Sequence, residues 1–280
     1  MFLEKSQITD VQLADQAQYD ISVMFTDIRD FTSLSEQMGP QENFNFLNSY
    51  PQRVSPVIGR HHGFVDKFLG VGMMALFPEH PSNGMDAAIA LQREVTVYNG
   101  HRASVGYDPV RIESSLHTGS VILGIIGEEA RMQGTVIADA VNLASRLENL
   151  TKLYGVDILV SETTLESIDD PDRYETRFLD EVRVKGRNEP VKIYEVFDGA
   201  PDEEIEAKLS IKPAFEAALE QYRQGGFQTA REGFETVLAD RPEDQASKVF
   251  LDRLHTSNRT ASMESGTGFR CSDTDGGLRG

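Results

Sequence analysis

The sequence is poor in cysteine, in basic residues and in long apolar runs, and each shortage excludes a class of protein. Cys271 is the single cysteine, so neither an intramolecular disulfide nor a cysteine-based metal cluster can form. The 27 Lys and Arg face 45 Asp and Glu, a formal net charge of −18 that argues against binding of a nucleic-acid backbone through a basic face. No apolar run approaches the roughly 18 residues of a membrane span, and the first residues lack the basic and apolar regions of a secretion signal. We therefore expect a cytoplasmic protein with no membrane segment in this chain and no nucleic acid as partner.

The 280 residues suffice for one large domain and a smaller second unit, at about 150 residues per domain. After a polar lead-in over residues 1–20, strands and helices interleave up to residue 198. Strands are predicted at 21–27, 63–67, 72–77, 109–117, 120–126, 156–160, 174–179, 182–185 and 191–197, and helices at 41–61, 84–98 and 140–153. Short turns between strands indicate antiparallel pairing, in an α+β or mixed-sheet α/β fold. Pro51 and Pro56 predict a kink or a break in the first of these helices.

The strand pattern stops near 198–201, and residues 204–255 are predicted to be helical with a break at 242–244. Their apolar and glycine spacing is that of one tetratricopeptide-type helical hairpin, although a generic amphipathic hairpin explains it equally well. The positions concerned are Tyr222, Gly225, Phe227, Ala230, Phe234 and Pro242. One hairpin cannot bury its own apolar face, so we expect it to pack against a neighbour. Residues 256–280, rich in Ser, Thr and Gly, predict a disordered tail.

Two short segments in the first half carry residues suited to binding charged ligands. Asp27 follows a buried strand, so its carboxylate could bind a hard cation such as Mg²⁺, or it could cap the next helix, as could Asp30. Lys67 stands beside a glycine turn and could donate to a purine or a phosphate. A solvated surface lysine would show the same pattern.

Two further segments lie in the second half. Asn142 and Arg146 are four residues apart and therefore share a helix face, opposite Val141, Ala144 and Leu147. Such a pair suits a polyphosphate or a developing negative charge, and it could also simply face solvent. A basic turn at 184–187 offers a lysine to a phosphate, but this signal is weak by itself.

In this order and at these separations, the four segments resemble the catalytic domain of the class III nucleotidyl cyclases, the adenylate/guanylate cyclase family. The resemblance covers about residues 20–197 and rests on FTDIRDFT, VDKFLGVGMMALF, HTG at 117–119, GTVIADAVNLASRLE and VKGRNEPVKIYEV. It implies a ferredoxin-like α+β domain at 21–198 that works as a head-to-tail dimer with two active sites at the interface. It also implies conversion of a purine nucleoside triphosphate to a 3′,5′-cyclic nucleotide and pyrophosphate in intracellular signalling.

The resemblance implies ligands for metal and base. Asp27 matches the first metal-binding aspartate, with the backbone carbonyl of Ile28 assisting, for Mg²⁺ or Mn²⁺. Lys67 and Thr135 match the pair that selects the base. That pair resembles the adenine type, so ATP is expected in preference to GTP.

The resemblance also implies residues that act on ribose and phosphates. Asn142 would orient the ribose, and Arg146 would stabilise charge at the reacting phosphate. Lys185 would hold the terminal phosphates.

One position departs from the family pattern, which has an aspartate directly after the glycine of the Lys-x-x-Gly turn. This chain has Val71 there, and a hydrocarbon cannot coordinate a cation. Asp66 and Asp139 do not stand at the missing position, and Asp66 should face away from Lys67 because the two are consecutive on a strand. Pro51 falls in a helix expected near the dimer interface and could weaken or reshape dimerisation.

Three interpretations follow. The chain is an active cyclase that is slowed by Val71; or an inactive cyclase-homology domain that binds nucleotide or complements an intact partner; or a helical protein-interaction module on an α+β scaffold. The valine favours the second interpretation, whereas the otherwise intact set of site residues supports the first.

Overall fold

The structure, a computed structural model, describes residues 16–128, 131–137, 139–183 and 189–261. The strands in these ranges are β1 (Gln16–Ile28), β2 (Phe64–Leu69), β3 (Gly72–Phe77), β4 (Ile112–Glu128), β5 (Arg131–Ile137), β6 (Ile158–Ser161), β7 (Thr176–Val182) and β8 (Val191–Val196). The α-helices are α1 (Phe31–Glu36), α2 (Pro40–Arg60), α3 (Pro81–Ser104), α4 (Asp139–Tyr154), α5 (Glu162–Glu166), α6 (Asp202–Arg223), α7 (Phe227–Asp240) and α8 (Gln245–Ala261). No helix within the described ranges is both long enough and apolar enough to cross a membrane.

One mixed sheet organises the fold, with strand order β2-β3-β1-β4-β6-β8-β7 and with β5 added to β4 as a hairpin. β1 is antiparallel to both β3 and β4, while β4 and β6 are parallel. Alternate residues of β1 enter different cores, since Met24 packs with α2 and α3 and Val23 packs with α4. The sheet thus carries helices on both faces, which confirms the α+β prediction.

Three elements differ from the sequence-based expectation. β1 begins at Gln16, inside the predicted lead-in. The strands predicted at 109–117 and 120–126 form the single strand β4. Of the strand predicted at 182–185, Val182 is the last residue of β7, and residues 184 and 185 lie outside the described residues.

The expected break in the first long helix is also absent. α2 runs as one element through Pro51 and Pro56, each of which lacks the N–H that an interior helix position donates. Buried side chains occur both before and after the prolines, including Tyr50, Val54 and Ile58. Packing of this face against the core therefore maintains the helix despite the lost hydrogen bonds.

The C-terminal helices share a core with the sheet. Leu147 and Tyr154 of α4 and Ile193 of β8 belong to the same buried cluster as Phe215 of α6 and Phe250 of α8. The expectation that the helical segment packs against a neighbour is confirmed, and the neighbour is the α+β domain itself. The interruption of the helix between α7 and α8 matches the predicted break at 242–244. α8 extends to residue 261, beyond the predicted helix end at 255. The rest of the predicted tail lies outside the described residues.

Candidate active site

Asp27 lies near the end of β1, where the strand leaves the core. Its side chain is 31% exposed, and its Oδ1 accepts a hydrogen bond of 2.9 Å from the backbone N–H of Ile28. The N-cap position of α1 belongs to Asp30, whose side chain makes no capping hydrogen bond. The carboxylate of Asp27 is therefore not used as a helix cap and remains accessible to a ligand.

The turn after β1 is anchored to the end of α4. The guanidinium of Arg29 pairs with the buried carboxylate of Glu113, which also accepts a 3.0 Å hydrogen bond from the hydroxyl of Thr151. The same guanidinium donates to the carbonyls of Thr151 and Val156. Burial raises the pKa of Glu113 even though the charge of Arg29 opposes this. These contacts hold the segment that carries Asp27 against the last turn of α4.

Lys152, in that last turn, contacts Asp27 directly. Its Nζ lies 3.2 Å from Asp27 Oδ2 and 3.2 Å from Oε1 of Glu148, one turn earlier on the same helix. Partial burial alone would lower the pKa of Lys152, but the charges of Glu148 and Asp27 outweigh it and the pKa is raised. Lys152 is therefore charged at neutral pH. Sequence analysis did not identify this residue, which is 125 positions away from Asp27.

The hairpin between β2 and β3 brings the backbone of Gly72 close to Asp27. A Cβ on Gly72 would lie 2.7 Å from the carbonyl oxygen of Thr26 and 3.3 Å from Asp27 Oδ1, so this approach requires glycine. Gly70 has φ of 67° and completes the tight turn. Val71, between the two glycines, is partly buried and packs against the main core. Residue 71, next to Gly72 in the chain, therefore contributes a hydrocarbon side chain and no carboxylate.

Lys67 does not face away from Asp66, and this expectation was wrong. The pairing of β2 with β3 shifts register between Val65 and Lys67, which leaves Asp66 as the extra residue of a β-bulge. The two side chains consequently meet, with Lys67 Nζ 3.1 Å from Asp66 Oδ2. Lys67 is exposed and carries its own carboxylate partner.

Tyr50 of α2 is a buried neighbour that sequence analysis did not assign to the site. Burial, reinforced by the negative charge of Asp27, raises the pKa of its hydroxyl. Tyr50 is therefore neutral at physiological pH and supplies no second anionic ligand.

Asn142 and Arg146 lie on α4 as the spacing predicted. Asn142 is exposed and Arg146 partly exposed, while Ala144 and Leu147 are buried in the core. Asn142 precedes Lys152 by ten residues, which is about 15 Å along the helix axis. A single chain thus places Asn142 and the carboxylate of Asp27 at different ends of α4.

The two remaining predicted site residues are Thr135 and Lys185. Thr135 lies on β5, in register with Gly124 of β4. Lys185 lies outside the described residues.

Comparison with known proteins identifies the family. The family described as "Adenylate and Guanylate cyclase catalytic domain" matches residues 13–197. The chain belongs to this family. It is 34% identical over 267 residues to "Adenylate cyclase, terminal-differentiation specific" of Dictyostelium discoideum, an alignment that covers 92% of this chain and 12% of the relative. The chain thus spans a small part of that relative's length.

Two solved cyclase structures share the fold at 30% identity. The guanylyl cyclase Cya2 superposes with a TM-score of 0.58, over 66% of this chain and 94% of its own. The adenylyl cyclase CyaB from P. aeruginosa superposes with a TM-score of 0.59, over 67% of this chain and 98% of its own. The first is named a guanylyl cyclase and the second an adenylyl cyclase. Similarity of the overall fold therefore does not distinguish ATP from GTP as the substrate of this chain.

The C-terminal helices lie beyond the family match. An alignment that covers 92% of this chain must extend past residue 197, so the Dictyostelium relative matches at least part of α6–α8. The comparisons do not support the tetratricopeptide resemblance, because the matched family ends before these helices.

The donor set suits one divalent cation better than two. Class III cyclases generally use divalent metal ions, and Mg²⁺ needs only one or two carboxylates when substrate phosphates supply the other ligands. Asp27 and the Ile28 carbonyl could provide that minimum. Val71 adds no ligand, and in the described part of the chain no three His, Cys, Asp or Glu side chains are grouped as a metal site. The residues therefore fit a single ion that is held mainly by a triphosphate.

Proposed function

We propose that this chain is a nucleotidyl cyclase domain that converts a purine nucleoside triphosphate, preferably ATP, to the 3′,5′-cyclic nucleotide and pyrophosphate at a reduced rate. The observation that supports the proposal is the close approach of the Gly72 backbone to Asp27, with Val71 next to it in the chain at the position where the family resemblance implies a second carboxylate. The chain belongs to the cyclase family and its sequence retains Asn142 and Arg146, so we assign the defect to the metal ligands alone.

In the proposed reaction the ribose 3′-hydroxyl releases its proton to solvent and its oxygen bonds to the α-phosphorus, while the bond from that phosphorus to the bridging oxygen breaks and pyrophosphate leaves. A Mg²⁺ or Mn²⁺ ion bound at Asp27 and the Ile28 carbonyl would neutralise phosphate charge. Asn142 would orient the ribose, and Arg146 would donate to the oxygens on which charge grows. Lys185 would hold the terminal phosphates.

Base selection is proposed to reside in Lys67 and Thr135. The exposed ammonium of Lys67 would donate to the ring nitrogen of adenine, and Asp66 would restrain it at 3.1 Å before the base arrives. The proposal thus adds Asp66, as the counter-ion of Lys67, to the adenine-type pair Lys67 and Thr135.

Two chains are proposed to form each site. Asn142 lies near the start of α4, whereas Asp27 of β1 contacts the last turn of that helix. This separation supports a head-to-tail homodimer in which one chain supplies Asp27 and the other supplies Asn142 and Arg146. The cytoplasm is the proposed location, on the basis of the single cysteine.

The test is production of cyclic nucleotide by the purified chain with Mn²⁺, with ATP and GTP supplied separately. We expect slow formation of cyclic AMP that is lost in Arg146→Ala and unaffected in Arg93→Ala, an exposed arginine on α3. Product formation that survives Arg146→Ala would contradict the assignment.

A second candidate function, complementation of an intact cyclase, is favoured by the same valine. A heterodimer could use Lys67, Asn142 and Arg146 of this chain with both aspartates of a partner. Mixing this chain with a cyclase that retains its aspartates but lacks the Asn and Arg should restore activity. No restoration at concentrations that form the mixed dimer would exclude this candidate.

A further inference from the structure

Lys152 occupies the place where a cation would approach Asp27. Oδ1 of Asp27 accepts from the backbone N–H of Ile28, and Oδ2 lies 3.2 Å from Lys152 Nζ. Both carboxylate oxygens are thus engaged, one by a neutral donor and one by a full positive charge. A divalent ion that binds Oδ2 must share it with this ammonium or displace it.

Glu148 offers the displaced ammonium a second partner. Its Oε1 is also 3.2 Å from Lys152 Nζ, and the two residues are one helical turn apart on α4. Lys152 can therefore leave Asp27 without losing all charge compensation. Its side chain is 45% exposed, so the ammonium can exchange one carboxylate for the other at the surface.

We infer that Lys152 is an internal cation that competes with the divalent metal for Asp27, with Glu148 as the position to which it withdraws. The inference rests on the proposed metal-binding role of Asp27. It assigns Lys152 as a positioning residue that sets metal affinity and takes no part in the reaction itself.

Val71 makes this competition effective. Asp27, Glu148 and Lys152 together carry one net negative charge, and an aspartate at position 71 would raise this to two. The ion therefore meets less net attraction than it would beside a pair of aspartates, and Lys152 offsets the charge of Asp27 until the ammonium moves. The missing carboxylate and the present lysine act in the same direction, against metal binding.

The experiment measures Mn²⁺ affinity of the full-length chain by electron paramagnetic resonance of free Mn²⁺, with a non-hydrolysable ATP analogue present. Lys152→Met keeps the length of the side chain and removes the charge. We expect it to lower the Kd for Mn²⁺ by about threefold to tenfold, in keeping with the modest strength of part-exposed charge interactions.

Lys192→Met is the matched control. Lys192 pairs with Glu162 at 2.7 Å on β8 and α5 and is similarly exposed, so its substitution makes the same change in net charge away from Asp27. The Kd should stay within about twofold of the unmodified chain if only the general charge changes.

Two more variants test whether the change in Mn²⁺ affinity follows the charge at residue 152 and its alternative partner. Lys152→Arg retains the charge and should keep the original Kd. Glu148→Gln removes the alternative partner, so Lys152 should remain on Asp27 and the Kd should rise. Unchanged or weaker Mn²⁺ binding in Lys152→Met, with folding verified by circular dichroism, would overturn the inference, as would absence of Mn²⁺ binding in every variant.

Turnover is a separate outcome. If Lys152→Met binds Mn²⁺ more tightly and no variant makes cyclic nucleotide, the inference stands and the proposed catalytic activity fails. If cyclic nucleotide forms while Mn²⁺ affinity is indifferent to residue 152, the activity stands and the inference fails.

Discussion

Lys67 is the residue at which base selection can be tested. The ammonium is exposed and adjoins Asp66, so a change of its charge should alter recognition of the base with little effect on the core. We predict that Lys67→Glu lowers the ratio of kcat/KM for ATP over GTP by about tenfold or more, which corresponds to about 1.4 kcal/mol.

The measurement compares ATP and GTP turnover by the variant with that by Lys212→Glu, which makes the same substitution on α6. An unchanged ratio in Lys67→Glu would remove Lys67 from the base pocket.

Some residues of the candidate site could be predicted from the sequence, and others could not. Asp27, Asn142 and Arg146 stand in local motifs, so their positions at a strand end and on one helix face follow from the pattern. Lys152 reaches Asp27 through a tertiary contact across 125 residues, which no local spacing indicates. Asp66 was misjudged because strict alternation along a strand fails at a bulge.

At the scale of elements, a buried ion network joins the C-terminal helices to the sheet. Arg177 of β7 pairs with Glu195 of β8 at 2.6 Å and with Asp244 before α8 at 2.9 Å, and Lys208 of α6 pairs with Glu195 at 2.8 Å. All four side chains are buried, so loss of one partner leaves charge uncompensated in the interior.

We predict that Glu195→Gln lowers the free energy of unfolding by about 3–5 kcal/mol, the usual cost of breaking a buried ion pair from one side. Glu220→Gln, on the exposed face of α6, should change it by less than about 1 kcal/mol. Urea denaturation of both variants measures the difference, and equal midpoints would contradict the structural role of the network.

The same network predicts a pH dependence. Burial alone would raise the pKa of Glu195 and of Asp244, but the charge of Arg177, together with Lys208 at Glu195 and the hydrogen bonds of Ser247 at Asp244, outweighs it and both pKa values are lowered. The unfolded chain binds protons to these carboxyls at higher pH than the folded chain does, so their stabilisation is complete above the ordinary carboxyl range and is lost as pH falls through the lower folded values.

Tm should therefore change little from neutral pH down to the ordinary carboxyl pKa near about 4 and should fall below it, more steeply in the unmodified chain than in Arg177→Met. Parallel curves for the two proteins would count against this linkage.

The positions of helices and strands were predictable where buried residues recur at a regular spacing. They were less predictable where the role of a glycine or proline depends on tertiary packing. Two strands were predicted on either side of Gly119, but the structure has one continuous strand there, and a Cβ on Gly119 would lie 3.3 Å from that of Ala140, so the glycine permits close packing of α4 on the strand. Pro51 and Pro56 indicated an interruption that the buried face of α2 overrides. Such uses depend on neighbours that are distant in sequence.

At the scale of the whole molecule, α4 connects Asn142 and Arg146 with the C-terminal helices. Tyr154, its last residue, accepts a 2.7 Å hydrogen bond from Arg253 of α8 and donates to Asp180 of β7. Cya2 and CyaB are matched over nearly their full length by two thirds of this chain, so α6–α8 have little counterpart in them.

We predict that a chain ending at residue 200 unfolds at least about 5 °C lower than the full chain, or fails to fold, because removal of α6–α8 exposes apolar side chains of α4 and the sheet. Differential scanning calorimetry checks this, with a chain ending at residue 261 as control. An equal Tm for the two truncated chains would show that the helices are an independent module.

The central claim is that the metal site is impaired because residue 71 lacks a carboxylate. The most direct test is cyclic AMP formation with Mn²⁺ by Val71→Asp beside Val71→Asn, which has the same size without the charge. The account predicts that Val71→Asp raises kcat by about a hundredfold or more, or about 2.7 kcal/mol of barrier, while Val71→Asn leaves it unchanged. Equal rates for the unmodified chain and Val71→Asp, with both folded, would contradict it.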